Sequence, residues 1–351
     1  MGTLFFCFLA FLLAGYVVLD GYDLGTGILH LGLARTDAER RQLLGTIGPL
    51  WDGNEVYLVA AGGTLFFAFP ELYALSFSGF YLPLMIVLWL LIVRGVSIEL
   101  RSHLPSPLWR EALDVTFSAS SLLLAFFLGV AIGNVIRGVP REPGAWFLQP
   151  LWTDFQAASR DTGILDWYTV LVGATATFAL AEQGALWLNF RTSGPVRERA
   201  RALVLPVWGI SGALTVVMSG VTFLVQPLVP ATLFHQPARL IFPLAGILAL
   251  GGSVLAYRRG RDELAFGLWS GFLAMLLASA AAGLYPVLLP SSVDPAFSVT
   301  LEQVRADDRS LRLGAVWWPI GIALAVAYTV YVHWRFSNRL GPEPPAGKPP
   351  P

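Results

Sequence analysis

The chain has 351 residues, 55% of them hydrophobic and only 13% charged, with a mean hydropathy of +0.63. An ordinary soluble domain is about a quarter charged, so lipid rather than water must cover much of this surface. Basic and acidic residues both number 23, which leaves no positive excess for nucleic acid to recognise. The single cysteine, Cys7, excludes an intrachain disulfide framework and a cysteine-based metal site.

Met1 to Leu19 is apolar, without a basic leader or a small-x-small cleavage site, so it reads as a retained first span rather than a signal peptide. Cys7, inside this run, reads as small apolar filler. Nine stretches approach the ~20 apolar residues that cross a hydrocarbon core: 3–30, 54–70, 75–98, 115–134, 166–189, 203–225, 240–257, 265–285 and 313–334. The runs are continuous, whereas barrel strands alternate. Unpaired backbone in lipid costs several kcal/mol per group, so the expected fold class is all-α. The expectation is one polytopic membrane domain over 1–340 with nine transmembrane helices, then a proline-rich disordered tail over 341–351 (GPEPPAGKPPP). Two loops, about 135–165 and 286–312, are long enough to hold structure of their own.

Charge orients the spans. One set of connections holds Arg35, Arg40 and Arg41; Arg94, Arg101 and Arg110; Arg191, Arg197, Arg199 and Arg201; Arg258, Arg259 and Arg261; and Arg335, Arg339 and Lys348. The other set holds Arg137, Arg141, Arg160, Arg239, Arg305, Arg309 and Arg312. Sixteen against seven places the first set in the cytoplasm, the N-terminus outside and the C-terminus inside.

Ionisable residues near a span are costly unless paired or hydrated, so they are the candidates for function. Asp20 and Asp23 lie one helical turn apart in LDGYDLGTG, among glycines that permit close helix packing. A hydrated, glycine-packed helix end fits this segment as well as a proton site does. Asp52 and Glu55 in PLWDGNEV stand at the start of the second span. Their spacing suits a helix N-cap, and it equally suits carboxylates that admit protons at the water boundary. Arg94, closing the third span, is placed to neutralise one of these acids or to snorkel to the surface. Glu182 in span five has no partner in the sequence and is expected to face the interior.

The histidines, His30, His103, His235 and His333, all stand at span ends or in loops, with no mid-span pair to sandwich a haem. Met85, Met218 and Met275 read as packing. No phosphate-binding loop, dinucleotide fingerprint or nucleophilic triad is present.

The runs LDGYDLGTGIL and RTDAERRQLLGTIGPLWDGNEVYLVAAGGTLFFAFPELYALSFSGFYLPLMIVLWLLIVRGVSIELR resemble subunit II of cytochrome bd-type quinol oxidases. AIGNVIRGVP and LYPVLLPSSVDPAFSVT are similar too, so the resemblance is strong over about 15–140 and returns near 284–300. It implies nine helices in two four-helix bundles plus one peripheral helix, related by pseudo-symmetry to a larger subunit I. That partner would carry haems b and d, or b only, and oxidise quinol. This chain would bind no haem and would not be catalytic alone. The complex would reduce oxygen to water in the bacterial cytoplasmic (inner) membrane, taking protons from the cytoplasm. By the same resemblance, Asp52 matches a carboxylate of a proton pathway and Asp20 a second acid on that side, with Asp23 beside it. Family members can carry glutamine at the position of Glu55, which lowers its weight. His30 matches nothing and reads as incidental. The resemblance leaves room for a structural quinone and small single-span subunits. The competing reading, a proton-coupled secondary transporter, requires paired broken helices in two similar halves, and no such symmetry is legible.

Overall fold

A computed structural model describes residues 1–142, 146–156 and 162–341. The tail from 342 onward, where the disorder is expected, lies outside the described residues. Helix α1 (Gly2–Leu33) is followed by α2 (Asp37–Ile47), α3 (Trp51–Ala68), α4 (Pro70–Gly79), α5 (Tyr81–Leu100) and α6 (Pro107–Arg137). After a loop come α7 (Trp167–Arg191), α8 (Pro195–Val225), α9 (Leu228–His235), α10 (Ile241–Arg258) and α11 (Asp262–Leu284). Strands β1 (Val287–Leu289) and β2 (Val299–Thr300), short α12 (Leu301–Val304) and α13 (Asp308–Arg335) complete the chain. Among the described residues eight helices are long and apolar enough to cross a membrane, namely α1, α5, α6, α7, α8, α10, α11 and α13. A ninth span is counted if α3 and α4 are taken as one bent unit.

That bend corrects the expected second and third spans. The chain breaks at Phe69, α4 starts with Pro70 at its first position, and the two helices meet at 120°. Proline fits there because a first-turn N–H needs no intrahelical partner. The stretch expected as one span over 75–98 is therefore the end of α4 followed by α5.

Local capping sets several boundaries. Asp166 and Thr169 cap the start of α7 reciprocally, at 2.8 and 2.9 Å. Thr36 and Glu39 do the same for α2, an eleven-residue helix where hydropathy alone predicts a plain connection. Asp52 does not cap α3. Leu50 is the N-cap and no side chain caps that end, so the capping alternative for the WDGNE segment is set aside.

Connections gather at two ends. At the arginine-rich end, Gln42 Nε2 donates to the carbonyls of Leu340 (2.7 Å) and Ser193 (3.1 Å), and Arg199 pairs with Glu39. At the other end the Ala306 amide donates to the Ala68 carbonyl (2.8 Å), and Val139 pairs with Pro290 (3.0 Å). The loop over 286–307 has its own structure, with β1 and β2 antiparallel and Leu289, Val299 and Leu301 buried against Phe5, Ala68 and Leu311. Thr3 meets Tyr285 at this end and Leu340 lies at the other, so the described chain begins and finishes at opposite ends.

Helix α7 is largely buried, whereas α13 exposes nearly its whole span. Close contact between α1 and α7 depends on Gly25 and Gly184. A methyl group on Gly25 would overlap the Leu180 carbonyl oxygen and stand 2.6 Å from the Gly184 nitrogen. Cys7 is exposed on α1, so it does not fill the core.

Candidate functional site

Three of the sequence candidates converge. Asp20 on α1 accepts two hydrogen bonds from Arg94 on α5, at 3.0 Å (Oδ2) and 2.7 Å (Oδ1), and both side chains are fully buried. The same guanidinium reaches Glu55 Oε1 on α3 at 2.5 Å. Two carboxylates around one guanidinium carry net charge −1 when ionised. Binding one proton makes the trio neutral, a favourable change where charge is poorly solvated. Glu55 is the member nearest the surface, with a 24% exposed side chain.

Asp52 lies one helical turn before Glu55, exposed, and hydrogen-bonds to nothing among the described residues. Acids therefore run inward from exposed Asp52 to half-buried Glu55 and fully buried Asp20.

Asp23 is not part of the Arg94 trio. Its Oδ2 accepts from Asn54 Nδ2 at 2.7 Å, and Asn54 also donates to the Tyr22 hydroxyl at 2.7 Å. Tyr22 in turn meets His333 Nε2 at 2.8 Å, while His333 Nδ1 lies 2.8 Å from the Thr329 carbonyl oxygen. A carbonyl can only accept, so Nδ1 carries the proton and Nε2 accepts from Tyr22. Tyr22 also stacks on Trp187, with ring centroids 4.1 Å apart. The sequence offered no sign of this chain of contacts, because α1, α3 and α13 meet only in space.

A second charge cluster closes the arginine-rich end. Buried Asp114 on α6 accepts from His30 Nε2 (2.7 Å), Arg101 (2.6 and 3.0 Å) and Arg40 (3.0 Å). His30 is thus a fully buried partner, contrary to its reading as an incidental helix end. Asp37 on α2 binds Arg101 at 2.8 Å and also pairs with Arg41 and Arg110. Partial burial pushes the Asp37 pKa up, but the Arg101 hydrogen bond and the Arg101, Arg41 and Arg110 charges bring it below its ordinary value. Burial acts on Glu39 in the same direction and is likewise outweighed, by the Arg35 amide and by Arg199. Asp114 lay outside the sequence candidates. Asp114 stands one turn after Glu111 as the acid furthest into α6, ahead of a long apolar run, and that position was the signal that could have found it.

Glu182 is fully buried on α7, as expected. His103 Nδ1 meets the Glu99 carbonyl at 2.8 Å, and His235 is exposed.

Comparison with known proteins decides the family. The family model described as "Cytochrome bd terminal oxidase subunit II" matches residues 1–336. This chain belongs to that family. It is similar to the cytochrome bd-I ubiquinol oxidase subunit 2 of Escherichia coli K12, at 30% identity over 95% of this chain and 93% of that one. Similarity to the cytochrome bd ubiquinol oxidase subunit 2 of Bacillus subtilis is 28% over 97% of both chains. The bd oxidase structure from Geobacillus thermodenitrificans shares the fold, with a TM-score of 0.76, 18% identity, and coverage of 96% of this chain and 98% of that chain. The protein is a multi-pass membrane subunit of a bd-type quinol oxidase, and as subunit II it belongs to a complex with a subunit I. Family membership displaces the transporter reading.

Proposed function

We propose that this chain brings protons from the cytoplasm toward the oxygen-reducing partner and stabilises that partner in the membrane. The observation that carries the reading is the inward series Asp52, Glu55, Arg94 and Asp20. Asp52 collects a proton at the water boundary. The trio around Arg94 holds one proton in exchange for its net negative charge, and Asp20 is the buried member. Arg94 keeps its own proton, because guanidinium is not deprotonated in proteins; it positions the carboxylates. Glutamine in place of Glu55 would still accept from Arg94 and keep the geometry, but it would leave the Asp20–Arg94 pair neutral and remove the negative charge that the proton answers.

Under this proposal the arginine-rich end is cytoplasmic, the N-terminus is outside and the C-terminus inside, in the bacterial inner membrane. The asymmetry of sixteen basic residues against seven supports this orientation. The helices form two four-helix bundles with one peripheral helix, and α13, exposed along its span, suits the peripheral place. The larger subunit I holds haems b and d, or b only, and supplies quinol oxidation and the reduction of oxygen to water. Quinol releases its protons outside while oxygen consumes protons from inside, so a gradient forms without a pump. A structural quinone and small single-span subunits are compatible with this arrangement.

The test is quinol-dependent oxygen uptake by the complex carrying Asp52→Asn, with haem content measured on the same preparation. Reduced turnover at unchanged haem content is expected. Full turnover would remove Asp52 from the pathway.

A further inference from the structure

The turn between α10 and α11 builds a site unconnected with proton movement. Helix α10 ends with Gly260 at φ +71°, a conformation that favours glycine. The Gly260 amide donates to the Tyr257 carbonyl (2.9 Å) and the Arg261 amide to the Ala256 carbonyl (3.0 Å). These are the paired bonds of a Schellman cap. The cap sets Arg258, Arg259 and Arg261 side by side, all exposed, at the arginine-rich end of the spans.

Beside this turn lies an open cleft of about 640 Å³, lined by Arg261 and Arg339 together with Phe190, Leu264 and Gly267. The Arg261 guanidinium has no hydrogen-bond or ion-pair partner among the described residues. Among the described residues Arg339 uses only Nε, toward the Phe190 carbonyl at 3.1 Å, and leaves its two terminal nitrogens for a ligand. Two carboxylates also line the cleft. Asp262 is taken up by Arg197 (2.9 Å) and Arg201 (3.3 Å), so Glu263 alone opposes the arginines. The wall that continues along α11 into the span is apolar or bare. Leu264 is 46% exposed, and nothing stands within 4 Å of a methyl group built on Gly267 or Gly271.

We propose that this cleft binds an anionic phospholipid of the adjacent leaflet. The phosphodiester sits between Arg261 and Arg339, and one acyl chain lies along the Gly267–Gly271 face of α11. A guanidinium fork matches phosphate oxygens in pairs. A basic recess between helix ends, open toward lipid on one flank, selects negative headgroups over zwitterionic ones. The glycines leave room for a chain that a leucine would displace. A free phosphate has no use for the apolar flank.

The experiment uses the intact complex in nanodiscs with a photoactivatable phosphatidylglycerol, mapping labelled peptides by mass spectrometry. Labelling is expected in the 258–271 region, with little from the phosphatidylcholine analogue and no competition by excess inorganic phosphate. In R261A/R339A labelling there falls by roughly an order of magnitude while labelling elsewhere holds. Glu263→Gln, which leaves both arginines in place, raises it. Equal labelling by the zwitterionic probe, displacement by inorganic phosphate, unchanged labelling in the double variant, or no rise in Glu263→Gln would each overturn the site.

Discussion

His30 Nε2 lies 2.7 Å from Asp114 Oδ1, with both side chains fully buried and 84 residues apart in the chain. Around this contact, Arg101 and Arg40 complete the shell of Asp114, so one acid anchors α1, α2, α6 and the end of α5. Replacing it strands buried positive charge, and breaking a buried pair by removing one partner costs about 3–5 kcal/mol. Asp114→Asn is therefore expected to lower the thermal unfolding temperature of the purified complex or prevent its assembly. His30→Gln, which keeps a donor, is expected to do much less. Equal melting of Asp114→Asn and the parent complex would show that the cluster contributes nothing to stability.

The packing of α1 on α7 gives a second test. Gly25→Ala places a methyl group against the Leu180 carbonyl and the Gly184 backbone, and overpacking costs about 1–3 kcal/mol. Gly62→Ala meets nothing within 4 Å and serves as the control. Complex yield and melting temperature should fall for the first and hold for the second.

Helix α2 should respond to acid. Asp37 and Glu39 both titrate below their ordinary values of 3.8 and 4.5 in the folded protein. A lowered folded pKa means that the folded state binds protons less readily than the unfolded one. The stabilisation is complete above the ordinary carboxylate values and disappears as pH falls through the folded ones. Amide exchange across 36–47 should rise in that acidic window, and Asp37→Asn should flatten the pH dependence. Exchange that stays constant through the window would contradict these pairings.

Tyr22→Phe separates the two polar chains. It removes the hydroxyl shared by Asn54 and His333, a loss of about 0.5–1.5 kcal/mol. Proton delivery is assigned to the Arg94 trio, so turnover should stay near normal while stability drops slightly. A steep loss of turnover with normal haem content would move the pathway to Asp23, Tyr22 and His333.

The apolar runs were legible because hydropathy is additive along a chain, and α1, α6, α7, α8, α10, α11 and α13 each fall on an expected span, although α6 and α8 start eight residues earlier than expected, in polar first turns that hydropathy does not count. Hydropathy carries no direction, however, so the turn at Phe69–Pro70 was hidden within apolar sequence. Helix α2 was missed because it is polar, although Thr36 and Glu39 stand at the spacing of a capping box. Asp20, Glu55 and Arg94 could be named from their cost in lipid, and the structure brings them together. Asn54, Tyr22 and His333 could not, since an amide, a phenol and an end-of-helix histidine are ordinary until folding buries them against an acid. Asp52 stood out through its string of neighbours, and its freedom from any hydrogen bond became visible only once Leu50 proved to be the N-cap.

That freedom makes Asp52 the cleanest handle on the central claim, because changing it breaks no side-chain hydrogen bond or ion pair among the described residues. The decisive measurement is proton uptake from the cytoplasmic side during an oxygen pulse, in vesicles holding the parent complex, Asp52→Asn or Asp52→Glu. The account predicts slower uptake in the asparagine variant, recovery in the glutamate variant and equal haem content in all three. Uptake in Asp52→Asn as fast as in the parent complex would contradict it, leaving this chain without a proton route that starts at Asp52.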